Sequence, residues 1–224
     1  GPQVKELALL MGCPVLQTSG GTAFIEGIED RTFPYLFAKV ADEIVAKSDL
    51  VVAIGTEIGE PSHYGKGYLW AEGNVDRKWI YVELDPQAIG VNRPIDVPLG
   101  GDLRTVVPQL SAALKDSPRA EAPDLQRWIR EDKERLANLA EQDFTTDSGR
   151  VHTGQWVVEA TKAFPENGIH VRDGGCTVIF TWTYLQCKPH DVIWNQNFGH
   201  LGTGLPYAIG ASVAEGRKRP VLFT

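Results

Sequence analysis

The 224-residue sequence predicts an α/β protein: a doubly wound parallel sheet forms a central domain, and a second α/β domain begins after it. Strand-like segments alternate with segments of helical length, and glycine-containing turns follow several of the strands. The strongest strand, at residues 50–54, is apolar at every position, which is typical of a parallel strand covered on both faces. Together these features favour crossover connections over hairpins.

Residues 1–115 carry the first series of elements. Val4, Leu7, Leu9, Leu10 and Met11 predict the apolar face of a helix. The elements expected after it are a strand at 14–18, a helix at 37–47, strands at 50–54, 78–85 and 97–99, and a helix at 103–114. This order predicts a central Rossmann-like domain.

Residues 116–150 differ in character and are predicted to form a linker. Proline and polar residues flank a charged helix between Asp124 and Gln142, whose apolar stripe is expected to pack on a neighbour. Residues 151–224 then begin a second α/β unit. Its expected elements are a helix at 152–164, a strand at 168–172, a helix at 181–185, a strand at 191–194, a helix at 205–214 and a final strand near 221. An incoming strand at the end suggests a segment of a longer polypeptide.

Composition excludes several classes of function. The net charge of −7, without a basic run, argues against nucleic acid or an anionic membrane surface as a partner. No apolar run is long enough to predict a membrane-spanning helix. Cys13, Cys176 and Cys187 lack metal-ligand spacing, so no metal site is expected among them, and reduced thiols in a cytoplasmic protein are the simplest interpretation.

One group of turns is a candidate nucleotide site in the first domain. Its residues follow predicted strands, where parallel sheets bind ligands: Gly20, Gly21, Gly55, Thr56 and Asp85. Glycine lets the backbone approach a phosphate, and a carboxylate at a strand end can accept ribose hydroxyls. The dinucleotide fingerprint Gly-x-Gly-x-x-Gly does not occur, so these residues could equally be tight turns of the sheet.

Two further motifs lie in the second unit. Asp173-Gly174-Gly175-Cys176-Thr177 joins a strand to a helix, where backbone N–H groups favour an anion. The stretch 197–211 is longer and more specific, because Gly199, Gly202 and Gly204 expose the backbone around Leu201. Pro206 follows early in the next helix, where its missing N–H costs nothing. A simple helix entry is the alternative interpretation.

At these residues the chain resembles thiamine-diphosphate-dependent enzymes of the acetolactate synthase, pyruvate oxidase and benzoylformate decarboxylase group. Residues 1–115 resemble their central domain, without its expected first strand, and 151–224 resemble the first half of their diphosphate-binding domain. The matching motifs are Gly12-Cys13-Pro14-Val15, Ser48-Asp49-Leu50-Val51-Val52-Ala53-Ile54-Gly55, Glu83-Leu84-Asp85-Pro86 and Gly199-His200-Leu201-Gly202-Thr203-Gly204-Leu205-Pro206. The last of these is the most specific.

The resemblance implies roles for individual residues. Gly175, Cys176 and Thr177 would lie beside the cofactor diphosphate. Gly199 would offer its carbonyl to the aminopyrimidine. The Leu201 amide would face the ring while its side chain wedges the cofactor into a bent conformation; Gly202 lies in the same loop, and His200 would lie near the substrate. The implied reaction is decarboxylation or carboligation of a 2-oxo acid or acyl substrate through a C2 carbanion or enamine.

The resemblance also implies what this segment lacks. The family's magnesium motif, Gly-Asp-Gly, is expected just after Thr224, and the activating glutamate belongs to another domain, so this segment alone is expected to be inactive. No flavin-binding loop is recognisable between Gly27 and Asp49, which argues against FAD or ADP. The complete protein is expected to be a homo-oligomer. Two other functions stay open: a non-catalytic nucleotide- or NAD-binding module, and a degenerate regulatory homologue.

Overall fold

A computed structural model describes residues 1–36, 38–71, 76–146, 149–195 and 199–224. The helices are α1 (Pro2–Met11), α2 (Lys39–Lys47), α3 (Leu103–Leu114), α4 (Leu125–Ala140), α5 (Thr153–Lys162), α6 (Cys176–Tyr184) and α7 (Gly204–Ala214). The strands are β1 (Val15–Gln17), β2 (Thr32–Pro34), β3 (Leu50–Ile54), β4 (Lys78–Glu83), β5 (Val97–Gly100), β6 (Ile169–Arg172), β7 (Val192–Trp194) and β8 (Val221–Phe223). The pairings between these strands are all parallel, which confirms the α/β class.

The chain divides into two compact units: residues 1–21 with 25–128, and residues 22–24 with 129–224. The predicted domain limits of 1–115, 116–150 and 151–224 stay a prediction. No helix in the described part of the chain combines the length and the apolar character needed to cross a membrane.

The first unit contains two small parallel sheets, β1–β2 and β3–β4–β5. β4 lies in the middle of the larger sheet, and its side chains Trp79, Tyr81 and Val82 are buried. In β3, by contrast, only Ala53 is fully buried, so the prediction of a strand covered on both faces applies to β4 better than to β3. β2 escaped the sequence analysis because three residues ending in proline carry almost no strand pattern. Leu9, which was predicted to lie on the apolar face of α1, is 48 % exposed.

An aromatic cluster forms the core of this unit. Trp70 packs on Trp79 with ring centroids 5.1 Å apart and stacks on Tyr35 at 6.1 Å. Arg77 joins the cluster to α2, because its guanidinium donates to main-chain carbonyls of Val45, Ser48 and Trp70. A cation at the carboxyl end of α2 also satisfies carbonyls that the helix leaves unpaired.

The second unit is built on the sheet β7–β6–β8, with β6 in the middle. All four residues of β6 are buried: Ile169 and Val171 pack against Ala208 and Ala211 of α7. Thr224 extends β8 beside β6, since its N–H donates to Val171 and its carbonyl accepts from the N–H of Asp173. The end of β6 is therefore held by Thr224 and β8 on one side and by β7 on the other.

Most helix limits in the second unit agree with the sequence patterns, but α6 does not. The sequence predicts a helix at 181–185, whereas α6 begins at Cys176. Threonine is a poor helix former, yet in α6 the hydroxyls of Thr177 and Thr183 donate to carbonyls three or four residues earlier in the chain. Such bonds do not stabilise a helix by themselves; α6 is held by the burial of Val178, Thr181 and Trp182.

Candidate functional site

The turn after β6 brings backbone N–H groups to the start of α6. Gly175 is the N-cap residue with φ +71°, a left-handed conformation that a residue with a Cβ adopts only under strain. Glycine provides no capping side chain, so the first-turn N–H groups of Cys176 and Thr177 have no intrahelical acceptor. The turn can therefore offer donors to an anion.

Asp173 connects this turn to the glycine loop at residues 199–204. One carboxylate oxygen accepts from the N–H of Gly174 at 2.8 Å, and both oxygens accept from the N–H of Gly202, at 2.8 and 3.0 Å. Because these donors come from two separate segments, the aspartate fixes one segment against the other.

The same two segments approach each other closely at their glycines. A Cβ built on Gly174 would lie only 2.5 Å from the Gly199 carbonyl oxygen and 3.0 Å from that of His200. A Cβ on Gly204 would lie 3.1 Å from the Cα of Asp173. Backbone lies against backbone here, so the glycine pattern follows from steric need as well as from turn geometry.

Leu201 projects from this loop. Its side chain is 74 % exposed, yet its Cδ2 atom lies 2.9 Å from the position of a Cβ on Gly175. A large apolar side chain thus stands in solvent directly beside the helix entry. Exposed apolar groups next to unpaired backbone donors are a common feature of ligand sites.

The structure brings the candidate cofactor residues of the second unit together. Gly175, Cys176 and Thr177 form the helix entry; Gly199, His200, Leu201 and Gly202 form the facing loop. Asn197 and Phe198, which belong to the same motif, lie outside the described residues. Asp173 belongs to a motif recognised in the sequence, but its role as the tie between the segments was not predicted, because a single sequence does not show which groups an aspartate contacts.

The candidate nucleotide residues of the first unit are held by internal hydrogen bonds. Gly55 donates its N–H to Val82 at 3.0 Å, Thr56 and Thr18 share a hydroxyl–hydroxyl bond, and the N–H of Gly21 donates to Thr18. Gly20 precedes Gly21 in that turn. Asp85 caps the short turn at 86–88 by accepting from the N–H of Gln87. These contacts agree with the interpretation as tight turns.

A cavity of about 300 Å³ lies close to these turns. Its lining in the described residues comes from the segment after β3, from β4 and from the loop at 88–95: Glu57, Ile58, Tyr81, Glu83, Ala88, Gly90, Val91, Asn92, Arg93 and Ile95. Burial, and then the negative charges of Glu83 and Glu57, raise the pKa of Tyr81. The five candidate nucleotide residues lie outside this lining.

Among the described residues no group of three histidine, cysteine or acidic side chains is arranged to hold a metal ion. All three cysteines are free thiols. Cys13 and Cys187 are partly buried, and burial raises the pKa of both, that of Cys187 to about 12, so both are protonated at neutral pH. Cys176 is exposed at the entry of α6.

Two family models match the chain. The central domain of thiamine pyrophosphate enzymes matches residues 1–110, and the C-terminal thiamine-pyrophosphate-binding domain matches residues 173–224. The second match begins at Asp173, so it contains the helix entry and the glycine loop.

Curated relatives agree with these matches. The chain is 26 % identical to the oxalyl-CoA decarboxylase of Escherichia coli K12 over 85 % of its length, and 26 % identical to the acetolactate synthase large subunit of Pyropia yezoensis over 94 %. It is 24 % identical to the sulfoacetaldehyde acetyltransferase of Castellaniella defragrans over 99 %. The chain spans only 34 %, 35 % and 40 % of these three relatives.

The two family models, in the order central domain then cofactor-binding domain, match both compact units, and the binding-domain match includes the paired glycine segments. The chain therefore belongs to the thiamine pyrophosphate enzymes, a family whose cofactor is thiamine diphosphate.

Proposed function

We propose that the complete protein containing this chain is a thiamine-diphosphate-dependent enzyme that decarboxylates or ligates a 2-oxo acid or a related acyl substrate. The relatives are named as a decarboxylase, a synthase and an acetyltransferase, and the proposed reactions are of these kinds. The single observation that carries the proposal is the close approach of Gly174 to Gly199 across the helix entry. The alternative of a non-catalytic nucleotide-binding module leaves that arrangement unexplained and is not favoured.

The helix entry fits the diphosphate of the cofactor. First-turn N–H groups at Cys176 and Thr177 can donate to phosphate oxygens, and the positive end of the α6 dipole favours their charge. Gly174 and Gly175 lack side chains that would cover these donors. We therefore assign Gly175, Cys176 and Thr177 to the diphosphate.

The glycine loop fits the ring end of the cofactor. The Gly199 carbonyl is assigned as acceptor for the aminopyrimidine, the Leu201 N–H as donor, and the Leu201 side chain as the apolar support against which the rings bend. Gly202, tied to Asp173, holds this loop in place, and His200 is assigned to the substrate side. The cofactor, when bound, supplies the nucleophile and the electron sink; these residues bind and orient it.

Magnesium would join the diphosphate, and none of the residues assigned above to the cofactor is proposed as its ligand. Carboxylate and carbonyl oxygens are the ligands that Mg²⁺ prefers. In the first unit, contact of Gly20, Gly21, Gly55, Thr56 and Asp85 with a nucleotide stays a proposal. Titration of the complete protein with ADP tests it.

We also propose that the complete protein is a cytoplasmic homo-oligomer. Leu205, Ile209 and Val213 recur every four residues along α7 and are 55 %, 58 % and 61 % exposed, so they form an apolar stripe without a covering partner in the described residues. Such a stripe is typical of an interface. Analytical ultracentrifugation of the complete protein would show a dimer or larger species, and a monomer at micromolar concentration would contradict this proposal.

Calorimetric titration tests the cofactor assignment. The complete protein is expected to bind thiamine diphosphate in the presence of Mg²⁺, and no binding would overturn the proposal. Leu201→Ala should weaken binding and lower kcat, because the support for the bent cofactor is lost. Leu9→Ala is the matched control, since Leu9 is also an exposed leucine but lies on α1, outside the proposed cofactor site and interface. Equal activity of wild type and Leu201→Ala would remove Leu201 from this role.

A further inference from the structure

Arg172, the last residue of β6, carries a buried charge that the cofactor site does not use. Its side chain is completely buried, and its Nε, Nη1 and Nη2 atoms have no hydrogen-bond partner in the described part of the chain. A guanidinium has five N–H donors and no acceptor. Its hydrogen bonds must therefore go to an acceptor such as an oxygen atom or a halide ion. Buried polar groups are almost always hydrogen-bonded in folded proteins.

The side chains around Arg172 do not neutralise it. Burial, and then the Arg172 charge, lower the pKa of His170 to about 2, so this imidazole is neutral. Burial raises the pKa of Cys187 to about 12, so this neighbour is a thiol. Burial lowers the pKa of Arg172 to about 10, which still leaves it protonated at neutral pH.

The carboxylate next in sequence is already engaged elsewhere. Asp173 accepts from the N–H groups of Gly174 and Gly202 and makes no hydrogen bond to Arg172. A full charge buried without a counter-charge is strongly unfavourable, and water alone does not remove that charge. The arrangement thus calls for an anion.

A second buried donor without an acceptor in the described residues, the Trp194 Nε1–H, belongs to the strand next to Arg172. Trp194 is directly opposite Arg172 in the register of β6 and β7, so both side chains stand on the same face of the sheet. Trp182 packs against both: its ring centroid is 5.9 Å from the Arg172 guanidinium carbon and 6.0 Å from the Trp194 ring centroid. The Trp194 Nε1–H is also buried without an acceptor in the described residues.

We propose that Arg172 and Trp194 form a buried receptor for a single anion behind the β6–α6 turn. The anion is either a carboxylate of the complete protein from outside the described residues or a small free anion such as chloride. Both sources supply the same chemistry, a compact negative charge that accepts from the guanidinium and the indole N–H. Arg172 and Trp194 are not among the residues assigned to the cofactor, and the proposal does not rest on the proposed function.

Diffraction from crystals of the complete protein soaked in bromide identifies the source. An anomalous peak beside the guanidinium shows a free-anion site. A carboxylate oxygen at about 2.7–2.9 Å from a guanidinium nitrogen shows an internal ion pair. A guanidinium surrounded only by water or carbonyl oxygens overturns the proposal.

Thermal unfolding gives an independent measurement that does not depend on activity. For a free anion, the Tm of wild type rises when chloride replaces gluconate at constant ionic strength, and Arg172→Met abolishes the rise. For an internal pair, chloride has no effect, and Arg172→Met lowers Tm because it leaves a buried carboxylate alone. Arg104→Met, at an arginine that is 86 % exposed, is the control and should change neither result.

The third outcome contradicts both sources. If Arg172→Met unfolds at the same or a higher temperature than wild type and neither protein responds to chloride, no anion compensates Arg172. Arg172→Lys keeps the charge with fewer donors and should retain part of the chloride response or of the wild-type Tm. Should Arg172→Met fail to fold, the diffraction measurement on wild type still decides.

Discussion

Gly174→Ala is the sharpest test of the paired glycine segments. Gly174 does not have a positive φ, so alanine adds no backbone strain and the effect is purely steric. The new Cβ would lie 2.5 Å from the Gly199 oxygen, whereas ordinary contacts begin at 3.4 Å. The glycine loop must therefore move by about 0.9 Å, the difference between these two distances. Because backbone cannot rotate away as a flexible side chain can, the two segments separate.

The separation of the two segments in Gly174→Ala should lower both stability and cofactor affinity by measurable amounts. Forcing an extra methyl group into a close-packed contact costs about 1–3 kcal/mol of stability. A misplacement of about 1 Å in a positioning group lowers the rate by about 100-fold. In the complete protein we therefore expect a lower Tm and a much weaker affinity for thiamine diphosphate with Mg²⁺, measured by scanning calorimetry and by titration.

Gly210→Ala is the matched control for this experiment. Gly210 lies in α7, and a Cβ built on it meets nothing within 4 Å. Alanine there should leave cofactor affinity unchanged and stabilise the helix by up to about 1 kcal/mol. If Gly174→Ala binds the cofactor as tightly as Gly210→Ala does, the close approach of the two segments is not part of the site.

Two further predictions concern the first unit. Arg77→Met removes four bonds to main-chain carbonyls, those of Val45, Ala46, Ser48 and Trp70, and should lower the free energy of unfolding in urea by about 1.5–3 kcal/mol; an unchanged midpoint would contradict this. Hydrogen bonds from Arg127, the main cause, lower the pKa of Glu43 from 4.5 to about 2. A lowered carboxyl pKa stabilises the protein above pH 4.5, and this contribution is lost as the pH falls towards 2. Glu43→Gln should therefore flatten the acid side of the Tm profile, with a loss below about 1 kcal/mol at pH 7, because the pair is partly exposed; an unchanged profile would refute the assignment.

The limits of helices and strands were predicted accurately where the sequence pattern was long. The predicted limits of the strand at 50–54 and the helix at 103–114 are those of β3 and α3, because each is bounded by a polar residue or glycine. The predicted start of α6 was wrong by five residues, because the burial of Val178 in its first turns depends on tertiary packing that the local pattern does not show.

Contacts between segments far apart in the chain could not be derived from the residue patterns. The resemblance assigned the glycine motifs at 173–177 and 199–204 to one cofactor, but their backbone-to-backbone approach depends on β6 lying between β7 and β8. Arg172 gave no signal at all, because a lone arginine at a strand end is normally exposed. Only the burial of β6 on both faces shows that the charge of Arg172 lies inside the fold.

The difference between these two kinds of feature has a physical origin. The candidate cofactor site is made mostly of backbone: N–H groups at Cys176 and Thr177, a carbonyl at Gly199, and glycines that leave room for them. Backbone chemistry is the same in every residue, so such a site is visible in sequence only as the places where a side chain is forbidden. Glycine spacing records that steric exclusion, which is why the motif was recognisable without a single titratable catalytic side chain. A buried charge leaves no such spacing, and its partner has to be found by measurement.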